Sequence, residues 1–296
     1  MREAFKTINF KDGALALIKE CNTIIDDYLG QDLRLTLRQL YYQLVTKNRI
    51  ENTERSYKRL GCVVSDARLA GVMDWAAIED RNREPQSHSE WSGLESLIDA
   101  ACSGYRLPRW EGQSRYVELW VEKAALAGVL QPLAYEFHVT LMVNRGYSSQ
   151  SAMYESAQRF KERCGSERSP ILFYLGDHDP SGEDMVRDIR ERLRLFGVDG
   201  IDVRKLALTR EQIDRHEPPP NPAKITDPRA AAYIARHGPV SWEVDALNPA
   251  TLAALIRHAF SDVVDLPLMA KIKEQEEIDK CDLRHAVTSL LEERAP

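Results

Sequence analysis

The distribution of apolar positions divides the chain into two regimes. Through the first 70 residues they recur at helical spacing. Between 12 and 29, Ala14, Leu15, Leu17, Ile18, Cys21, Ile24, Ile25, Tyr28 and Leu29 make one stripe that stops at Gly30. Thr36 then caps a second helix whose stripe is Leu37, Leu40, Tyr41, Leu44 and Val45, and Tyr42 falls off it beside Arg38 and Gln39. A third helix from about Thr53 puts Tyr57, Leu60, Val63, Val64, Ala67 and Leu69 inward, with Arg55, Lys58, Arg59 and Arg68 on the remaining faces. Residues 71–83 read as a wing or short strand region followed by a turn, and 84–91 as a polar linker. Three short helices with a basic third one are similar to a winged helix-turn-helix that reads DNA. The expected division is a DNA-binding unit over 1–90 and a second unit over 91–296.

In the second regime the period alternates. Strands are predicted at 116–121, 139–143, 171–175 and 201–206, and helices at 123–137, 149–164 and 183–196, the last capped near Ser181 or Gly182. Such alternation predicts an α/β fold with a mostly parallel sheet flanked by helices and a helical C-terminal region. The carboxyl edge of that sheet would collect Glu122, the 144–148 loop, Asp177 and Asp179, where α/β folds bind ligands. Asp177 and Asp179 alone would pass as turn residues. Three acids on one edge instead suggest a shared hard cation.

Composition narrows the function classes. The chain has 296 residues, 43% hydrophobic and 29% charged, enough for a core and too polar for a membrane span. No apolar signal core follows Met1, and five scattered cysteines point to a reducing compartment, so a cytoplasmic, nucleoid-associated location is expected. At net charge −6, a nucleic-acid partner requires a local basic face. No phosphate-binding glycine loop is present. His178, between the acids, should point away from them. Ser148, Ser149 and Ser151 have no paired histidine. A rigid loop is expected at 218–224, and helices at 252–259 and 286–293.

Four segments in order carry a resemblance: T-L-R-Q-L-Y-Y at 36–42, V-E-K-A-A-L at 121–126, R-G-Y-S-S-Q-S at 145–151 and D-H-D-P-S-G at 177–182. Together they resemble the topoisomerase VI A subunit and the meiotic double-strand-break proteins, in which a winged helix precedes a Toprim domain. The resemblance covers roughly residues 33–250 and implies Mg²⁺-dependent (or Mn²⁺-dependent) cleavage of double-stranded DNA. It implies Tyr42 as the nucleophile, and Glu122, Asp177 and Asp179 as metal-binding acids. W-E-V-D-A-L at 242–247 is similar to a late acidic motif and makes Glu243 a further candidate. Arg38, four residues before Tyr42, is within reach of a developing phenolate. Lys123 or Arg145 would hold a phosphate oxygen, and Arg55, Lys58, Arg59 and Arg68 would bind DNA. A homodimer is implied, and a separate ATPase subunit is a possible partner. The chain is shorter than that A subunit and has no fused ATPase. It is also similar to the Toprim nuclease of Wadjet-type plasmid defence, which works without the tyrosine. A hydrolytic nuclease and a non-catalytic DNA-binding subunit are therefore the alternatives.

Overall fold

The computed structural model describes residues 2–31, 34–78, 88–144 and 146–293. Helices α1 (Asp12–Leu29), α2 (Leu37–Thr46) and α3 (Glu54–Leu69) pack through Ile18, Cys21, Ile24 and Ile25, Leu40 and Leu44, and Leu60 and Val64. Thr36 begins α2 with a capping box: its hydroxyl accepts from the Gln39 amide at 3.3 Å, and its own amide donates to Gln39 Oε1 at 2.8 Å. Each buried Leu or Ile contributes roughly 1.5–3 kcal/mol and a cap about 1 kcal/mol, so the stripes hold the helices together and the caps set where they start.

The expected wing or short strand region, 71–83, is described only as far as Ile78. Residues 75–77 form a 3₁₀ turn, and Ile78 makes a single bridge to Leu35. Residues 79–83, and 84–87 of the expected linker, lie outside the described residues. Helix α4 (Leu94–Gly104) then leads to the sheet.

Strands β1 (Arg115–Val121), β2 (Thr140–Val143), β3 (Ser169–Leu175) and β4 (Asp202–Ala207) alternate with helices α5 (Ala127–Phe137), α6 (Gln150–Cys164) and α7 (Pro180–Leu195). Among the described residues the strands form a parallel sheet in the order β2-β1-β3-β4. Val121 lies opposite both Val143 and Leu175, so these three strands end level and whatever follows them emerges at one edge. The pleat sends alternate residues to opposite faces. Val117, Leu119, Phe173 and Leu175 meet α5 and α10 (Pro249–Ser261), where Phe137 and Phe260 stack at 4.2 Å. Tyr116, Trp120, Leu172 and Tyr174 meet Phe160 of α6 and Met185 and Ile189 of α7.

After β4 come α8 (Arg210–His216), β5 (Asn221–Pro222), α9 (Ala230–His237) and β6 (Val240–Ser241). The expected rigid loop at 218–224 is therefore partly a strand, paired antiparallel with β6. Helix α11 (Leu266–Glu293) runs 28 residues, longer than expected, and buries Glu276 against Arg109. The protein is thus a mixed α/β fold: a parallel sheet flanked by helices, with a long C-terminal helix. Among the described residues no helix is long and apolar enough to cross a membrane.

Candidate functional site

The ladder continues one residue past the strands: the amides of Asn144, Glu122 and Gly176 donate to Val121, Leu175 and Ala207 at 2.7, 2.9 and 2.8 Å. The chain then turns away and leaves the acids at the edge. Glu122 Oε2 accepts from the Asp177 amide and from the Tyr174 hydroxyl, each at 3.1 Å. Asp179, not Ser181 or Gly182, caps α7: its Oδ1 accepts from the Gly182 amide at 2.7 Å and the Ser181 hydroxyl at 2.8 Å. A full negative charge at a helix N-terminus is a stronger acceptor than a hydroxyl, and Pro180 at the first helical position is preset for the turn. The turn is so tight that a Cβ on Gly182 would run into the Asp177 carbonyl oxygen, with the carbonyl carbon at 2.9 Å.

A second segment completes the site. Trp242 pairs with His178 through backbone hydrogen bonds of 2.8 and 3.0 Å, and the Val244 amide donates to Asp177 Oδ1 at 2.9 Å. This brings Glu243 and Asp245 to the edge. Lys123 Nζ then lies 3.0 Å from Asp177 Oδ2, 3.1 Å from Glu243 Oε2 and 3.0 Å from Asp245 Oδ1. From α2, Arg38 Nε donates to Asp245 Oδ2 at 2.8 Å, and its Nη2 pairs with Glu243. The Tyr42 hydroxyl donates to the same Glu243 oxygen, with Arg38 Nη2 3.4 Å from it. Lys205 of β4 donates to the Asp177 carbonyl at 2.7 Å and to Glu183 at 2.6 Å. The His178 ring does point away, among Tyr233, His237 and Trp242. Its Nδ1 lies 2.9 Å from Glu183 Oε1, but neither ring nitrogen makes an aligned hydrogen bond.

Sequence reasoning put Tyr41 in the core and Tyr42 on an open face. Tyr41 is 5% exposed and Tyr42 4% exposed, so that distinction fails. A helical stripe identifies the face toward a helix's own bundle. It carries no signal for a second face covered by residues 200 positions later. Asp245, whose side chain is fully buried, and Lys205 were missed. Lys123 was assigned to phosphate but is the hub of the ion pairs.

The charges shape one another. Burial, reinforced by the Glu243 hydrogen bond and charge, raises the Tyr42 phenol above its ordinary range. Burial pushes Glu243 upward, but Lys123, the Tyr42 hydroxyl and Arg38 outweigh it and hold the carboxyl at about 2. Asp177 rises to about 7, chiefly through burial and against the pull of Lys123. Burial works against the Lys123 ammonium, yet Asp245, Asp177 and Glu243 keep it charged.

All-oxygen donors of this kind suit Mg²⁺ or Mn²⁺. Glu122 Oε1 and Asp179 Oδ2 accept no hydrogen bond among the described residues, so each retains a free ligand atom. Among the described residues, however, no three acids converge as a ready ligand set. The Lys123 ammonium supplies the positive charge at Asp177 instead.

Of the expected DNA contacts, Arg55, Lys58 and Arg59 are exposed on α3, with Lys58 paired to Glu54 at 2.7 Å. Arg68 is not available: its guanidinium lies 4.7 Å over the Trp75 ring and donates to the Trp75 carbonyl at 2.6 Å. It anchors the turn after α3. Arg145 lies outside the described residues.

No family model, no curated protein and no solved structure matches this chain.

Proposed function

We infer that this chain cleaves DNA with Tyr42 as the nucleophile, on a winged-helix and Toprim frame. The observation that carries this reading is the meeting of a phenol, a guanidinium and an ammonium with the acids of a parallel-sheet edge. The phenolic oxygen attacks the phosphorus of a backbone phosphodiester. The phenol gives up its proton to solvent as a tyrosyl–phosphate bond forms, the bond to the sugar oxygen breaks, and the leaving oxygen takes up a proton from solvent. Arg38, 3.4 Å from the phenolic oxygen, is placed to balance the charge that grows there. The neighbouring Glu243 carboxylate has the opposite effect and holds the phenol protonated. The arrangement is a resting one, and attack requires that the phenol exchange Glu243 for a phosphate. Glu122, Asp177 and Asp179 would hold Mg²⁺ or Mn²⁺, with Lys123 moved off Asp177. A bound ion of this type stabilises charge on phosphate oxygens. Double-stranded DNA is the substrate on this reading, and a second copy of the chain addresses the opposite strand.

A second reading follows from the burial of Tyr42: a hydrolytic nuclease, in which water attacks and the tyrosine only closes the site. Supercoiled plasmid incubated with the protein and Mg²⁺ or Mn²⁺, then treated with detergent with or without protease, separates the possibilities. Cut DNA carrying covalently attached protein, lost in Tyr42→Phe, is the expected result. Metal-dependent cutting that survives Tyr42→Phe without linkage establishes the hydrolytic reading. DNA binding without cutting leaves a non-catalytic subunit.

A further inference from the structure

Beside Tyr42, the α2–α3 corner contains a small slot of about 230 Å³. Arg38, Tyr41, Tyr42, Asn52, Tyr57 and Asn221 line it. Tyr41 is the central ring, with centroids 5.3 Å from Tyr42 and 5.2 Å from Tyr57, both edge to face. Its hydroxyl donates to Asn52 Oδ1 at 3.0 Å and to the Thr53 carbonyl at 3.2 Å. Asn52 Nδ2 in turn donates to the Pro220 carbonyl at 3.0 Å and to Asn221 Oδ1 at 2.8 Å. The aromatic walls are therefore fixed before any ligand arrives, which lowers the ordering cost of binding. Glu54, the acid at the rim, is neutralised by Lys58 at 2.7 Å.

The slot adjoins a groove of about 1220 Å³ that shares Asn52 and Thr53 with it and is lined by Arg49, Arg55 and Arg59 together with Glu51 and Glu217. Arg55 and Arg59 have no acidic partner among the described residues, whereas Arg49 lies 3.3 Å from Glu20. A groove that offers two arginines without acidic partners thus lies beside an aromatic slot next to the candidate nucleophile. The slot is smaller than the roughly 300–1,000 Å³ that holds a whole small-molecule ligand, so it admits one ring system and little else. Every nucleobase has a π-face that stacks on aromatic side chains, and arginine adds a cation–π contact.

We propose that this slot binds a single unstacked nucleobase while the groove holds the phosphates that flank it. The protein would then select DNA with an unpaired or unstacked base next to the cleavage point. The proposal deepens the DNA-cleaving function and rests on it. The core-only account, in which the three tyrosines merely pack α2 on α3, explains Tyr41 but not the cavity that the three rings line.

The test uses the full chain and two labelled oligonucleotides: a fully paired duplex, and the same duplex with one bulged 2-aminopurine. Wild-type protein should bind the bulged form on the order of tenfold more tightly and quench its fluorescence, since stacking on an aromatic ring has an effect of this size. Tyr57→Leu should shrink the bulged-to-paired affinity ratio about tenfold, and Tyr57→Phe should keep it. Equal affinity for the two duplexes with unquenched 2-aminopurine overturns the slot and leaves DNA cleavage standing. So does a ratio unchanged in Tyr57→Leu. Binding to neither duplex at low salt overturns the DNA function itself, and the slot with it. Should Tyr57→Leu fail to fold, wild-type quenching and Tyr57→Phe still decide.

Discussion

One strand carries two acids four residues apart with opposite fates. Glu118, in the middle of β1, is completely buried, and four donors finish its carboxylate: Arg159 Nε at 2.6 Å and Nη2 at 2.9 Å, Trp120 Nε1 at 2.8 Å and the Tyr116 hydroxyl at 3.0 Å. A carboxylate has about four lone-pair directions, so nothing is left to bind another group. Glu122, at the end of the same strand, takes both of its hydrogen bonds on one oxygen and keeps the other. Burial alone therefore does not mark a functional acid. What marks it is a position where the neighbours leave the charge incomplete.

The largest expected effect tests the closed acid. Glu118→Ala removes the acceptor of the half-buried Arg159 guanidinium and of the buried Trp120 and Tyr116 donors, and should lower stability by about 3–5 kcal/mol, read from urea denaturation. Glu122→Gln should cost about 1 kcal/mol or less and abolish metal-dependent cutting. If both variants lose the same stability, the contrast between closed and open acids is wrong. Next is the turn that delivers Asp177 and Asp179. Gly182→Ala forces a methyl against the Asp177 backbone and should cost about 1–3 kcal/mol, with cleavage lost even at temperatures where the protein is still folded.

Glu243→Gln probes the resting contact. It preserves shape and leaves Arg38 and Lys123 paired to Asp245, so a cost of about 1–2 kcal/mol is expected. The Tyr42 phenol should then titrate closer to its free value near 10 and react faster with a nitrating reagent. Mass spectrometry of the nitrated tyrosine checks this, and an unchanged rate rules out the Glu243 brake. The smallest effect is a slope. In metal-free buffer the folded-state value of Asp177, about 7, lies above its unfolded value of about 3.9. The native state therefore binds more protons between pH 4 and 7, and this group makes stability fall as pH rises through that window. Asp177→Asn should remove that fall. Glu243 acts in the opposite sense, its contribution being lost only as pH drops from about 4.5 toward 2.

Much of the architecture was legible because short apolar runs flanked by turn residues are unambiguous. Every predicted strand and helix of the sheet region is present, with ends shifted by no more than four residues, the largest shift being the start of α5. The level strand ends followed from that alternation, and so did the meeting of Glu122 with Asp177 at the edge. The partners were not legible. Lys123 was read as a candidate to hold a phosphate oxygen because nothing local requires Asp245 to be near it. Asp245 lies in a 3₁₀ turn that the backbone bridge between His178 and Trp242 brings to the edge. Arg68 had the right charge on the right helix but is used by a tryptophan seven residues away. Periodicity reports on neighbours along an element. It says little about pairs such as Arg38 and Asp245, separated by 207 positions.

Ala246 lies in the core shared by α1, α2 and α3, directly after Asp245. During synthesis those three helices are complete long before residue 246 exists. Until then their bundle has a gap on the α2 side, and Arg38 and Tyr42 face solvent without their acids. Chain closure over such a distance is slow compared with helix formation. The Tyr42 side of the site should therefore be among the last parts of the molecule to mature, and a nascent or truncated chain would present an unguarded tyrosine.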